Sequence, residues 1–116
     1  MTEFSENKPI YLQIADHIGD RILRGELKEE DRIPSVRELG ADLGVNPNTV
    51  MRSYDRLTDE GVLFNKRGIG YFIAPDARKR VLEERRRAFL EEDLPLIREK
   101  MALLGLDSSV FIESKA

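Results

Sequence analysis

Along the first sixty residues, apolar side chains recur at helical spacing in three windows, each closed by a glycine. Tyr11, Ile14, Ile18 and Ile22 form the first stripe, opened by Pro9 and ended by Gly25. Val36, Leu39 and Leu43 form the second, on a short helix. Ser35 and Glu38 start that helix as a capping box, and Gly44 ends it in the left-handed conformation. Val50, Tyr54 and Leu57 form the third, with Asn46 as N-cap, Pro47 at the first helical position and Gly61 as the stop. Two capped helices around a single Gly44–Val45 corner spell a helix-turn-helix, and the first stripe supplies the third helix that such a pair needs. Between the first two windows, GELKEEDR (residues 25–32) reads as a charged connector anchored by Leu27 alone.

Past Gly61 the period changes. Runs 62–65 and 70–74, rich in β-branched and aromatic residues, flank Lys66-Arg67-Gly68-Ile69, which predicts a β-hairpin with 66–69 at its tip. Gly68 and Gly70 supply permissive backbone there. Three helices and a hairpin are the layout of a winged helix. The predicted fold class is therefore mainly α with a small β-hairpin: a winged helix-turn-helix domain over residues 1–75, then a helical C-terminal segment over 76–116.

In that segment Ala77, Val81, Leu82, Ala88 and Phe89 make an apolar stripe from Asp76 to about Glu92. A further helix over 94–104 starts near Asp93 and Pro95 and ends at Gly105. Leu94, Ile97, Met101 and Leu104 follow 3-4-3 spacing on it. LDSSVFIESKA, at the end, predicts one more short turn of helix. Two amphipathic helices of this length cannot bury their apolar faces alone. Val81, Leu82, Phe89, Leu94, Ile97, Met101 and Leu104 are thus the expected dimerisation set of a homodimer, and packing back onto the winged domain is the alternative.

The polar side of the third window carries the chemistry. With Val50, Tyr54 and Leu57 turned inward, Asn48 and Arg52 lie opposite, near the helix start. Asn and Arg match the donor and acceptor patterns of adenine and guanine edges, and the free N–H groups of a helix start favour a phosphate. Asp55, Asp59 and Glu60 farther along would repel one, so only the first two turns suit a DNA major groove. Arg56 reads instead as an ion-pair partner of these acids at i+3 or i+4. A cationic hairpin tip at Lys66, Arg67 and Gly68 would reach the flanking minor groove or its phosphates.

Composition changes the picture in one respect. The 116 residues hold 22 acids against 19 Lys and Arg, for a net charge of −3, the opposite of the usual nucleic-acid binder. Residues 1–75 hold 10 cations against 13 acids, and 76–116 hold nine of each. Binding must then rest on where cations sit, with Arg37, Arg52, Lys66 and Arg67 on one face and Glu26, Glu29, Glu30 and Asp31 elsewhere. The alternative is a winged-helix protein–protein interaction module whose acidic surface meets a basic partner.

Other chemistry is sparse. No cysteine is present, and the single histidine, His17, stands between Asp16 and Asp20 and reads as a surface residue rather than a metal ligand. Gly68-x-Gly70 lacks the following helix that a nucleotide loop needs. Arg85-Arg86-Arg87 is interleaved with glutamates at i, i+4 and reads as a solvated face. An enzyme, a metal and a cofactor are therefore not expected. No apolar run approaches a membrane span and the N-terminus has no signal core, so a cytoplasmic location is expected.

Tyr11-Leu-Gln-Ile14, Ile33-Pro-Ser-Val-Arg-Glu-Leu39, Val45-Asn-Pro-Asn-Thr-Val50, Ser53-Tyr54-x-x-Leu57 with Gly61, and Arg67-Gly68-x-Gly70-Tyr71-Phe72 together resemble the GntR family of bacterial transcription regulators. The short tail resembles the family's YtrA-like branch, whose members dimerise through about two C-terminal helices. The resemblance implies a dimeric winged helix-turn-helix regulator, usually a repressor, on a near-palindromic operator. It places Ser35 and Arg37 at the DNA-contacting start of the second helix. Asn46, Pro47, Asn48 and Thr49 match the segment that enters the major groove, and Arg67 and Gly68 match the wing tip. Met51 stands where some relatives have a DNA-contacting arginine. Gly40, commonly alanine in the family, is expected to weaken its helix by up to about 1 kcal/mol. The larger branches add an effector-binding or aminotransferase-like domain, for which this chain is too short; an unidentified small-molecule effector stays open.

Overall fold

In the computed structural model, which describes residues 7–113, the helices α1 (Ile10–Leu23), α2 (Val36–Leu43) and α3 (Pro47–Asp59) precede a hairpin of β1 (Leu63–Lys66) and β2 (Gly70–Ile73). α4 (Ala77–Ala88), a π-helical turn at Phe89–Asp93, α5 (Leu94–Leu103) and α6 (Val110–Glu113) follow. The predicted caps of α2 and the start of α3 are in place. Ser35 Oγ accepts from the Glu38 N–H at 3.1 Å while the Glu38 carboxylate accepts from the Ser35 N–H at 3.0 Å. Gly44 closes α2 at φ 69°, and the Asn46 side chain caps α3 through the Asn48 N–H at 2.8 Å.

The chain divides after Leu82 into two compact units. The core of the first gathers the three stripes: Ile14, Ile18 and Ile22 of α1, Val50, Tyr54 and Leu57 of α3, and Leu63 and Ile73 of the hairpin. Burying each such side chain is worth about 1.5–3 kcal/mol. Two buried hydroxyls pin α3 in place. Ser53 Oγ donates to the Tyr11 carbonyl at 2.6 Å, tying α3 to α1, and the Tyr54 hydroxyl donates to the Pro34 carbonyl at 2.6 Å, just ahead of α2. Burial, then the neighbouring Tyr71 ring and Glu38, push the Tyr54 phenol well above its ordinary value, which keeps it a donor.

The connector before α2 is more than a charged link with one anchor. Its end lies along the edge of β2 away from β1: Ile33 N–H donates to Tyr71 O at 3.0 Å, and Ile73 N–H donates to Asp31 O at 2.9 Å. Three of its acids are engaged, two of them locally. Glu26 pairs with Arg24 and Arg21, Asp31 accepts the Lys28 N–H, and Glu29 accepts the N–H of Asp76 at 2.9 Å.

Past Pro75 the structure differs from the sequence expectation in two places. Ala77 and Val81 are buried in the core of the first unit, so the division falls after Leu82 rather than at Pro75. Val81 therefore leaves the expected dimerisation set, because its side chain is already covered; the half-buried Leu82 belongs to the same unit. The second difference is at Asp93 and Pro95, where a fresh helix start was expected. Helical backbone instead continues from α4 to α5 through the π turn. Proline lacks an N–H and its ring crowds the carbonyl four residues back, and one wider turn removes both conflicts. Gly105 does end α5, at φ 67°, with the Leu106 N–H returning to Met101 O at 2.9 Å.

Candidate nucleic-acid interface

The exposed start of α3 is held rigid from beneath. Val50, Ser53, Tyr54 and Leu57 face the core, leaving Pro47, Asn48 and Arg52 exposed and Thr49 half-buried. Asn48 makes no side-chain hydrogen bond among the described residues. The Asn46 oxygen, by contrast, accepts the Asn48 N–H as the cap, while its amide N–H groups are not used in the cap. Arg56 pairs with Glu60 at 3.5 Å, as its spacing suggested. Arg52 does not pair with Asp55. Its guanidinium lies over the Tyr11 ring, 4.1 Å from the centroid, a contact that fixes a cation without using its N–H donors.

Arg37 is exposed at the start of α2, directly after the Ser35 cap, and forms no ion pair among the described residues. Ser35 is exposed as well, but its hydroxyl oxygen already accepts from the Glu38 N–H. Its hydroxyl also steadies the Glu38 carboxylate, so the group is engaged in the cap from both sides.

The hairpin is docked against α3. The Tyr71 and Tyr54 rings meet edge to face with centroids 4.9 Å apart, and the Tyr71 hydroxyl donates to Met51 Sδ at 3.5 Å. Burial and then Asp55 push the Tyr71 phenol up. At the tip, the Ile69 N–H closes a turn onto Lys66 O at 2.9 Å, and Gly68 takes φ 78° at the third turn position, where side chains other than glycine are strained. Arg67 is left exposed at the apex. Lys66 behaves differently from a tip residue. It forms the last rung of the hairpin with Gly70, and its Nζ leans over the Phe72 ring at 4.9 Å and the Phe64 ring at 5.8 Å. Those rings stack across the strands at 5.6 Å.

Several contributors were not legible in the sequence. Arg32, read as part of the connector, lies against Gly70 in the last rung before the hairpin tip, where its Nε would stand 3.0 Å from an added Cβ. Only the pairing of residues 30–33 with β2 brings it there. Tyr11, read as a core position, is half-buried and serves as the platform for Arg52. The Phe64–Phe72 pair, in contrast, follows from the hairpin register once the tip is known. No three His, Asp or Glu side chains gather among the described residues where they could hold a metal. Among the described residues, no helix is long and apolar enough to cross a membrane.

A tri-helical core, an exposed polar helix start and a cationic hairpin docked beside it define a winged helix-turn-helix DNA-binding protein. The model of bacterial regulatory proteins of the gntR family matches residues 10–73, and the chain belongs to that family. It is 40% identical over 111 residues to the uncharacterized HTH-type transcriptional regulator YhcF of Bacillus subtilis (strain 168), covering 96% of this chain and 90% of that one. It is 34% identical over 100 residues to the HTH-type transcriptional repressor YtrA of the same organism, covering 86% and 71%. Among solved structures, a GntR family transcriptional regulator from Listeria monocytogenes superposes with a TM-score of 0.76 at 31% identity, covering 95% of each chain. AraR(DBD) in complex with operator ORR3 superposes with a TM-score of 0.56 at 30% identity, over 64% of this chain and 87% of that one. The protein is thus a YtrA-like GntR regulator that binds DNA to control transcription.

Proposed function

We propose that the protein is a repressor that binds a near-palindromic operator as a homodimer. The observation carrying this reading is the exposed polar start of α3, braced from below by buried Ser53 and Tyr54. Asn48 and Arg52 read base edges in the major groove, with Thr49 and the Asn46 amide beside them and Pro47 presetting the first turn. Ser35, Arg37 and the α2 start take a phosphate or the neighbouring base. Arg67 and Gly68 at the tip, with Lys66 and Arg32 behind, hold the flanking backbone or minor groove. Base contacts matter more than usual here, because a chain of net charge −3 gains little from non-specific attraction.

The second copy is recruited by the C-terminal unit. Phe89 (47%), Ile97 (36%) and Leu104 (71%) remain exposed, beside Leu90, Leu96 and Leu103, while Leu94 and Met101 are half-buried. So much open apolar surface marks an interaction face. A two-fold pair would set two recognition helices about 34 Å apart, one per half-site. Such a regulator works on chromosomal DNA in the cytoplasm and needs no catalytic group. The test is fluorescence anisotropy on duplexes selected from a random library. Arg37→Ala and Arg52→Ala are each expected to cost about 1–3 kcal/mol on the selected site. Unchanged binding in both variants would sink the assignment.

A further inference from the structure

α1 and α2 both pack on α3 and little on one another. Between them, backed by the connector, lies a crevice of about 100 Å³. Its walls are Ile14 and Ile18 of α1, Leu27 and Ile33 of the connector, and Leu39 and Leu43 of α2, with Tyr54 beneath. The Tyr54 hydroxyl offers a guest no donor, since its proton is given to Pro34 O. Polar character is confined to one side. His17 is exposed and the Arg21 side chain is 40% exposed, and both line the crevice. Arg21 is held there by Glu26, at 3.2 Å from Nε. That single contact leaves the other guanidinium N–H groups available.

We propose that this crevice binds a small branched-chain carboxylate, with its alkyl end among the isoleucines and leucines and its carboxylate at Arg21 and His17. Size sets the alkyl end. An apolar cavity of about 150 Å³ accepts benzene, so the smaller space here suits four or five carbons. Charge sets the other end, because a cation and an imidazole are the polar groups the lining presents. The site lies wholly within the winged unit. α2 carries Arg37, so a guest wedged between α1 and α2 bears on the DNA face. That consequence rests on the proposed DNA contacts, whereas binding itself does not.

The experiment is a methyl-detected NMR titration of the full chain without DNA, using isovalerate, its uncharged counterpart 3-methyl-1-butanol, and acetate. Isovalerate is expected to give saturable shifts confined to Ile14, Ile18, Ile33, Leu39 and Leu43. The alcohol should bind about threefold to fivefold more weakly, the share of a partly exposed ion pair. Arg21→Gln, which alters only a half-exposed side chain, should abolish that preference while keeping the shifts localised. Acetate should not saturate. Absence of localised, saturable shifts would overturn the site, and equal binding of acid and alcohol to the unmodified protein would overturn the assigned ligand class. DNA affinity enters neither readout, so the failure of this proposal and of the operator reading are distinguishable.

Discussion

Gly40 shows how one residue can look like a defect in sequence and a requirement in space. Helix propensity says that alanine would strengthen α2 there by up to about 1 kcal/mol. An added Cβ, however, would stand 2.8 Å from the Val45 carbonyl oxygen, where the chain folds back to start α3. Gly40→Ala is therefore expected to destabilise the protein by about 1–2 kcal/mol, seen as a lower urea midpoint. A raised midpoint would mean that the corner yields. Glu38 offers a second test, through pH. The Ser35 N–H first, and then its hydroxyl, hold the Glu38 carboxyl below its ordinary value of 4.5. A carboxylate depressed on folding stabilises the protein above its unfolded value, and that gain is lost as pH falls through the lower folded value. The stability difference between the parent and Glu38→Gln should be full at neutral pH and fade as urea melts are taken down to about pH 3. A difference independent of pH would rule out the charged cap.

Among the elements, the hairpin presents its two cations differently, Arg67 exposed at the apex and Lys66 held over aromatic rings. Lys66 leans over Phe72 and Phe64 rather than extending from the tip, so on the proposed operator it would meet a phosphate as a positioned point charge and read no base. Lys66→Ala is expected to weaken binding to all duplexes alike and to reduce the slope of log affinity against log salt by about one. A loss restricted to the selected operator would contradict that role. The π turn between α4 and α5 teaches a different lesson. Asp93 and Pro95 carry the local marks of a helix start, yet the backbone stays helical through them. Proline conflicts with a regular α turn, and a wider turn answers that conflict as well as a break does.

For the molecule as a whole, the proposed homodimer rests on the open apolar surface of the C-terminal unit. Ile97→Glu combined with Leu104→Glu should leave helical content intact, because both side chains are exposed. It should yield a monomer in sedimentation equilibrium and lower operator affinity by about 100-fold or more, as loss of a linked half-site requires. A dimer that persists in this double variant would move the interface elsewhere.

What the amino-acid order determined by itself was local: three amphipathic stripes, the Ser35–Glu38 box, the Asn46–Pro47 start, the Gly44 and Gly105 stops and the hairpin around Gly68. Each depends on residues within about one turn of one another, where spacing alone dictates which groups meet. Tertiary structure decided the rest. It set residues 30–33 beside β2, carrying Arg32 to the rung next to the hairpin tip, laid Arg52 over Tyr11, buried Val81 in the winged core and left a crevice between α1 and α2. These contacts join positions far apart in the chain, and no periodicity encodes them. They follow from which surfaces are left to bury once the local elements exist.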